Sequence, residues 1–183
     1  MLPPDLTGPS SWILHDLDCA FVQNAAQRYS ELDPDFVRQI CYEHPVRFND
    51  LYPRFDVAVH GAYRIFRSAG WLYDSVREDD GSLPDSWSGQ FDGYLARGQR
   101  EYFVYDTMIG TGRWPFPPVI VSAETAVDLG RAENLGFPYA LVEGYHRLSY
   151  MRRMVQLGLL DRDTVLDVIE LREQARGLTD TSS

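Results

Sequence analysis

The stretch Leu141-Val142-Glu143-Gly144-Tyr145-His146-Arg147-Leu148 constrains this chain more than any other. Ahead of it, Phe137-Pro138-Tyr139-Ala140-Leu141-Val142 is a short apolar run broken by one proline, the pattern of a buried strand. Behind it, His146 to Leu157 places Leu148, Met151 and Val155 on one face at helical spacing, with Met154 beside them. Gly158 is a natural stop for that helix. A strand that becomes an amphipathic helix across one glycine belongs to a fold in which helices pack on a sheet.

The neighbouring segments agree. Pro117-Pro118-Val119-Ile120-Val121 is a second apolar run behind prolines, and Ser122 is a cap residue for a helix through Ala126 and Leu129. Tyr94 to Ile109 reads as one helix closed by Gly110-Thr111-Gly112. Thr164 to Leu171 fits a strand or a helix, and its β-branched content favours strand. Before residue 80 the chain reads as helical. Ala20 to Tyr29 carries good helix formers, Asp33-Pro34 opens a second helix, and a third is expected from near Asp56 to Ser68, ending at Gly70. The polar stretch Glu78 to Asp85 is a loop or linker. The expected organisation is a mainly helical segment over 1–80, an α/β core over 81–176 and a disordered tail over 177–183.

Charge limits the partners. The net charge is −10 and the pI about 4.7. A surface of that sign does not supply the basic face that non-specific duplex binding needs, although a small basic pocket for a nucleotide remains open. It also suits a basic protein partner. The two cysteines, Cys19 and Cys41, fit no zinc or redox spacing and read as two buried thiols in a reducing compartment. Met1 to Asp5 shows no basic n-region, and no apolar run approaches the roughly 18 residues a membrane span needs. The expectation is a cytoplasmic protein without membrane insertion.

The turn at Gly144 carries the chemistry. The first N–H groups of a helix have no internal partner, and the helix dipole makes that end partly positive. Gly144 lets the backbone turn sharply and lets a ligand come close. His146 and Arg147 add donors there, and Arg147 can grip a phosphate with two parallel bonds. The result is an anion site suited to phosphate. Glu143 has the wrong sign for a bare phosphate. Two roles remain open: a ligand for a divalent metal or a base, or a structural ion pair with Arg147 or Arg113.

Glu143-Gly144-Tyr145-His146-Arg147, preceded by Ile109-Gly110-Thr111-Gly112-Arg113-Trp114-Pro115-Phe116-Pro117-Pro118-Val119-Ile120-Val121, resembles the ParB/sulfiredoxin superfamily over residues 95–172. Members carry an acidic residue, Gly, then x-His-Arg at this junction, after a Pro-Pro strand. The resemblance implies a ParB/sulfiredoxin-like core that binds ATP or another nucleoside triphosphate with Mg2+. Gly144, Tyr145, His146 and Arg147 would hold phosphates, with Gly112 and Arg113 as a second contact. Glu143, His146 and Arg147 would be catalytic, with Glu143 also the metal ligand. Tyr145 stands where the sulfiredoxin branch has its cysteine, which removes cysteine chemistry. The chain stops soon after the core, which argues against centromere binding through a helix-turn-helix domain.

The chain is also similar in length, order and motif to plasmid-encoded fertility-inhibition proteins of that superfamily, the Osa type. This implies an ATPase with DNase activity that blocks DNA transfer through a type IV secretion channel, with a nucleotide, DNA and transfer-machinery components as partners. The alternative is a non-catalytic acidic inhibitor of a basic protein. The remaining features have plainer readings. Gly110 to Arg113 is equally a helix cap and turn. His15, His44 and His60 read as structural, and Asp79 and Asp80 as a solvated loop. Arg152 and Arg153 read as a solvated helix face, and the aromatics around Trp71 as core.

Overall fold

A computed structural model of the chain describes residues 1–8, 19–78, 81–98, 102–131 and 136–174. The expectations for His15, Asp79, Asp80 and the tail from Gly177 lie outside these residues.

The centre is a five-stranded mixed sheet in the order β1-β5-β3-β4-β2. The strands are β1 (His60–Ser68), β2 (Val76–Arg77), β3 (Val119–Ser122), β4 (Tyr139–Glu143) and β5 (Val165–Glu173). The pairs β1/β5 and β3/β4 are antiparallel, and β3/β5 and β2/β4 are parallel. Strand alternation sends Val119, Val121, Ala140, Val142, Ile169 and Leu171 into one core and Ile120, Leu141, Leu166 and Val168 into the other. With both faces apolar, the sheet needs helices on each side.

The first face is covered by α1 (Ala20–Arg28), α2 (Pro34–Phe36) continuing into a π-helical segment Val37–Glu43, α3 (Pro45–Leu51) and α7 (Ala123–Asp128). The second is covered by α4 (Ala69–Ser75), α5 (Ser88–Arg97), α6 (Phe103–Thr111) and α8 (Tyr145–Gln156). The protein is therefore mixed α/β, as the strand–helix alternation predicts.

Local signals account for many of the boundaries. Asp33 caps α2 by accepting from Asp35 N at 2.9 Å, and Ser122 caps α7 by accepting from Thr125 N at 3.1 Å. Gly158, at φ +68°, closes α8 with the paired bonds Gly158 N to Val155 O and Leu159 N to Met154 O. The helix expected over Tyr94–Ile109 is two helices, α5 and α6; α5 ends at Gly98, which takes φ +61°.

One element differs outright. The helix expected over Asp56–Ser68 is mostly strand β1, paired residue for residue with β5 from His60–Glu173 to Ser68–Val165. Tyr63, Ile65 and Phe66 suit a pleated surface, and the distant partner strand outweighs local helix propensity. Gly70 is not a cap but lies buried inside α4, whose own cap is Ser68 accepting from Trp71 N at 3.2 Å. The linker expected at Glu78–Asp85 falls between β2 and α5, and strands from both sides of it share one sheet. No helix among the described residues is long and apolar enough to cross a membrane.

Candidate functional site

β4 ends at Glu143, the backbone turns at Gly144 with φ +107°, and α8 starts at Tyr145. No side chain caps this helix start. The first backbone bond of the helix is Leu148 N to Gly144 O, so the preceding N–H groups are not used inside α8. Gly144 is required twice over. Its φ lies in the left-handed region, and a Cβ there would stand 2.6 Å from Pro118 Cβ.

The turn lines a cavity of about 200 Å³, together with Gln39, Glu43, Tyr102, Val104 and Phe116. A wider cleft of about 480 Å³ adjoins it through Glu143, Tyr145 and His146, and is walled by His44, Arg47, Glu78, Ser86 and Trp87. The position follows from the topology. The cavity sits at the carboxyl end of β4, where the two helical layers part, a usual place for ligands in α/β sheets.

Arg147 is buried at 5% exposure. Its Nη1 donates to Phe116 O at 3.1 Å, its Nη2 lies 3.6 Å from Glu143 Oε1, and its guanidinium lies over the Phe116 ring. Burial lowers its pKa from the ordinary arginine value, while the Glu143 charge opposes that. Of the two ion-pair partners left open for Glu143, the structure selects Arg147, and it also places His44 Nε2 3.9 Å from Glu143 Oε2.

His146 packs at a tilt against Trp87 with ring centroids 3.9 Å apart, and Tyr102 and Tyr150 meet it edge-on. Burial first, and then the Arg147 charge, lower its pKa below 6.5, while Glu143 raises it. The ring is therefore neutral at pH 7 and offers one donor and one acceptor. The Tyr145 hydroxyl accepts from Arg47 Nη2 at 2.9 Å.

Glu143, Gly144, Tyr145, His146 and Arg147 thus converge on one cavity. Gly112 and Arg113 do not line it. Gly112 ends α6 at φ +67° and faces Leu160, beyond the far end of α8, while the Arg113 backbone N donates to Thr111 Oγ1. Sequence reading missed Gln39, Glu43, His44, Trp87 and Tyr102. None of them shows a motif, and only the fold brings them to residue 143. His60, in contrast, is a packed histidine stacked on Phe55, as expected.

For Mg2+, the residues offer a partial fit. Glu43 and Glu143 line the cavity, but no group of three or more His, Cys, Asp or Glu suited to a metal occurs among the described residues. Any such fit rests on those two carboxylates, since Mg2+ is commonly held by one or two carboxylates together with substrate phosphates. No family model, curated protein or solved structure matches this chain.

Proposed function

We propose that the cavity at the start of α8 binds the phosphates of a nucleotide, and that the chain hydrolyses it. One observation carries the reading: a glycine-led helix start without a side-chain cap opens on a cavity with Glu143 on its wall. The backbone N–H groups hold the phosphate. Both terminal nitrogens of Arg147 face protein acceptors, so it contributes positive charge from beneath rather than a free two-pronged grip. Trp87 and Tyr145, in the adjoining cleft, suit a stacked base. Glu143 is the base towards water, and with Glu43 it is the side chain that would hold Mg2+ beside the phosphates, where the metal would offset their charge.

The reading places this activity in the cytoplasm, supported by free Cys19 and Cys41. ParB/sulfiredoxin membership, DNase activity and inhibition of DNA transfer enter the proposal on the sequence resemblance alone. The charge of −10 supports a second reading, a non-catalytic inhibitor of a basic protein.

Calorimetric titration with ATP, CTP and GTP, with and without Mg2+, tests the proposal on the wild type and on His146→Glu. An acidic residue in the first turn favours the helix but repels phosphate. The expected result is binding by the wild type and loss in the variant, with helix content unchanged by circular dichroism. Absence of binding for every nucleotide, or undiminished binding by the variant, overturns the reading and favours the acidic inhibitor.

A further inference from the structure

β1 is one edge of the sheet, and its hydrogen bonds fix which of its residues face outward. Val59 O accepts from Gln174 N, and Ala69 N donates to Thr164 O, so the odd-numbered residues bond to β5. The even-numbered ones point away: Ala62 N donates to Glu31 O, and Ala62 O accepts from Asp33 N. Leu32 closes the edge at Ala62 by one parallel bridge, and α4 begins at Ala69. Between them, the backbone groups of Arg64, Phe66 and Ser68 face outward with no backbone partner among the described residues. Phe66 O takes a surface bond from its neighbour, Arg67 Nη1, at 3.1 Å.

Charged side chains usually guard an edge of this kind. Here Arg64 is drawn back over the sheet by Asp33, Asp35 and Asp167. Phe66 is 62% exposed, and Val165, its diagonal neighbour on β5, is 53% exposed. An open edge beside an apolar patch is a template for another strand.

We propose that the occupant is a second copy of this chain, paired antiparallel along β1 so that the two sheets become one. The open stretch is centred on Phe66. A two-fold axis there sets Phe66 opposite Phe66 of the second copy and Arg64 opposite its Ser68, so every outward backbone group gains a partner. The Phe66 N–H of the second copy replaces the Arg67 bond to Phe66 O. Phe66 and Val165 of both copies then form one apolar strip. The odd-numbered side chains lie on the other face, with Ile65 against the second core. There Arg67, at the surface over the Trp71 ring, stands opposite Ile65 of the second copy and diagonal to its Tyr63. The Tyr63 hydroxyl donates to exposed Glu31 at 2.8 Å. Each copy therefore brings Arg67 to Glu31 of the other, and no like charges stand directly opposite. Charge is complementary across the axis although the chain as a whole is acidic. So short a contact buries less than about 1,200 Å², which suits a weak, reversible dimer. The nucleotide site plays no part in it.

Sedimentation equilibrium of the full chain over about 1 µM to 1 mM tests the dimer. The expected result is a reversible monomer–dimer equilibrium. Glu31→Arg and Arg67→Glu are each expected to weaken it about tenfold or more, and the two together to restore it. Phe66→Pro removes an outward N–H, leaves the β5 ladder intact and is expected to abolish the dimer. Amide exchange reads the phase: Phe66 is protected only at high concentration, and Ile65 and Arg67 at every concentration. A monomer throughout the range overturns the second copy as occupant. A dimer unmoved by the charge variants, with Phe66 exchanging freely, also overturns it, because its interface then lies elsewhere. The charge variants keep the test decisive even if Phe66→Pro does not fold.

Discussion

Gly144 and Pro118 approach so closely that a Cβ on Gly144 would lie 2.6 Å from Pro118 Cβ and 3.0 Å from Pro118 Cα. Pro118 leads into β3, and Gly144 follows β4, so this contact locks the antiparallel pair at the mouth of the cavity. Gly144→Ala adds both a left-handed backbone penalty and a backbone clash. The expected cost is about 2 kcal/mol or more, read as a lower urea midpoint. A change under about 0.5 kcal/mol would show that the turn relaxes freely.

Arg147 holds the same mouth from below through Phe116 O and Glu143. Its replacement by Ala leaves the Phe116 carbonyl without this donor and the Glu143 carboxylate without this cationic partner. Arg147→Ala is expected to destabilise by about 2–4 kcal/mol in denaturant unfolding. Its effect on nucleotide binding is therefore read only at temperatures where the variant is folded. Wild-type stability in the variant would refute the structural role.

Glu143 separates binding from turnover. Glu143→Gln keeps shape and loses the base. Phosphate release assays are expected to show hydrolysis lowered about 100-fold or more, with the nucleotide affinity measured in the absence of Mg2+ retained. Turnover within about twofold of wild type would remove Glu143 from the chemistry.

His146 gives a pH signature. Its folded pKa is depressed, by burial and the Arg147 charge against the opposing pull of Glu143, with neutral Trp87, Tyr102 and Tyr150 around it. As pH falls through about 6.5 the unfolded chain takes up the proton first. Stability from this group is therefore present above that pH and declines down to the folded pKa. His146→Phe, which keeps a ring against Trp87, is expected to show a shallower loss between pH 7 and 5 in unfolding titrations. Superimposable slopes for the two proteins would count against this.

Two adjacent arginines on α8 should behave differently. Arg152 is 1% exposed, lies over the Tyr73 ring at 3.8 Å and donates to Tyr73 O. Arg153 pairs at the surface with Asp92. Arg152→Ala is expected to cost about 2 kcal/mol or more in thermal unfolding, and Arg153→Ala to leave the midpoint nearly unchanged. Equal effects would contradict the burial difference.

That pair also shows where local reading stops. Both arginines suit a solvated helix face, and nothing adjacent in sequence marks Arg152 as the one that turns inward onto Tyr73. Likewise β1 reads as helix because its partner, β5, lies about a hundred residues away in the chain.

By itself the sequence determined what depends on a few neighbouring residues. Strands β3 and β4, the Ser122 cap, helix α8 with its Gly158 stop, and the turn at Gly144 all follow from side-chain period, capping groups and glycine freedom. Tertiary structure alone decided what the turn faces. Gln39 reaches Pro117 across 78 positions, His44 reaches Glu143, and Trp87 covers His146. Such contacts form only when the sheet pairs and both helical layers close on it, because the burial that rewards them is shared by residues far apart in the chain.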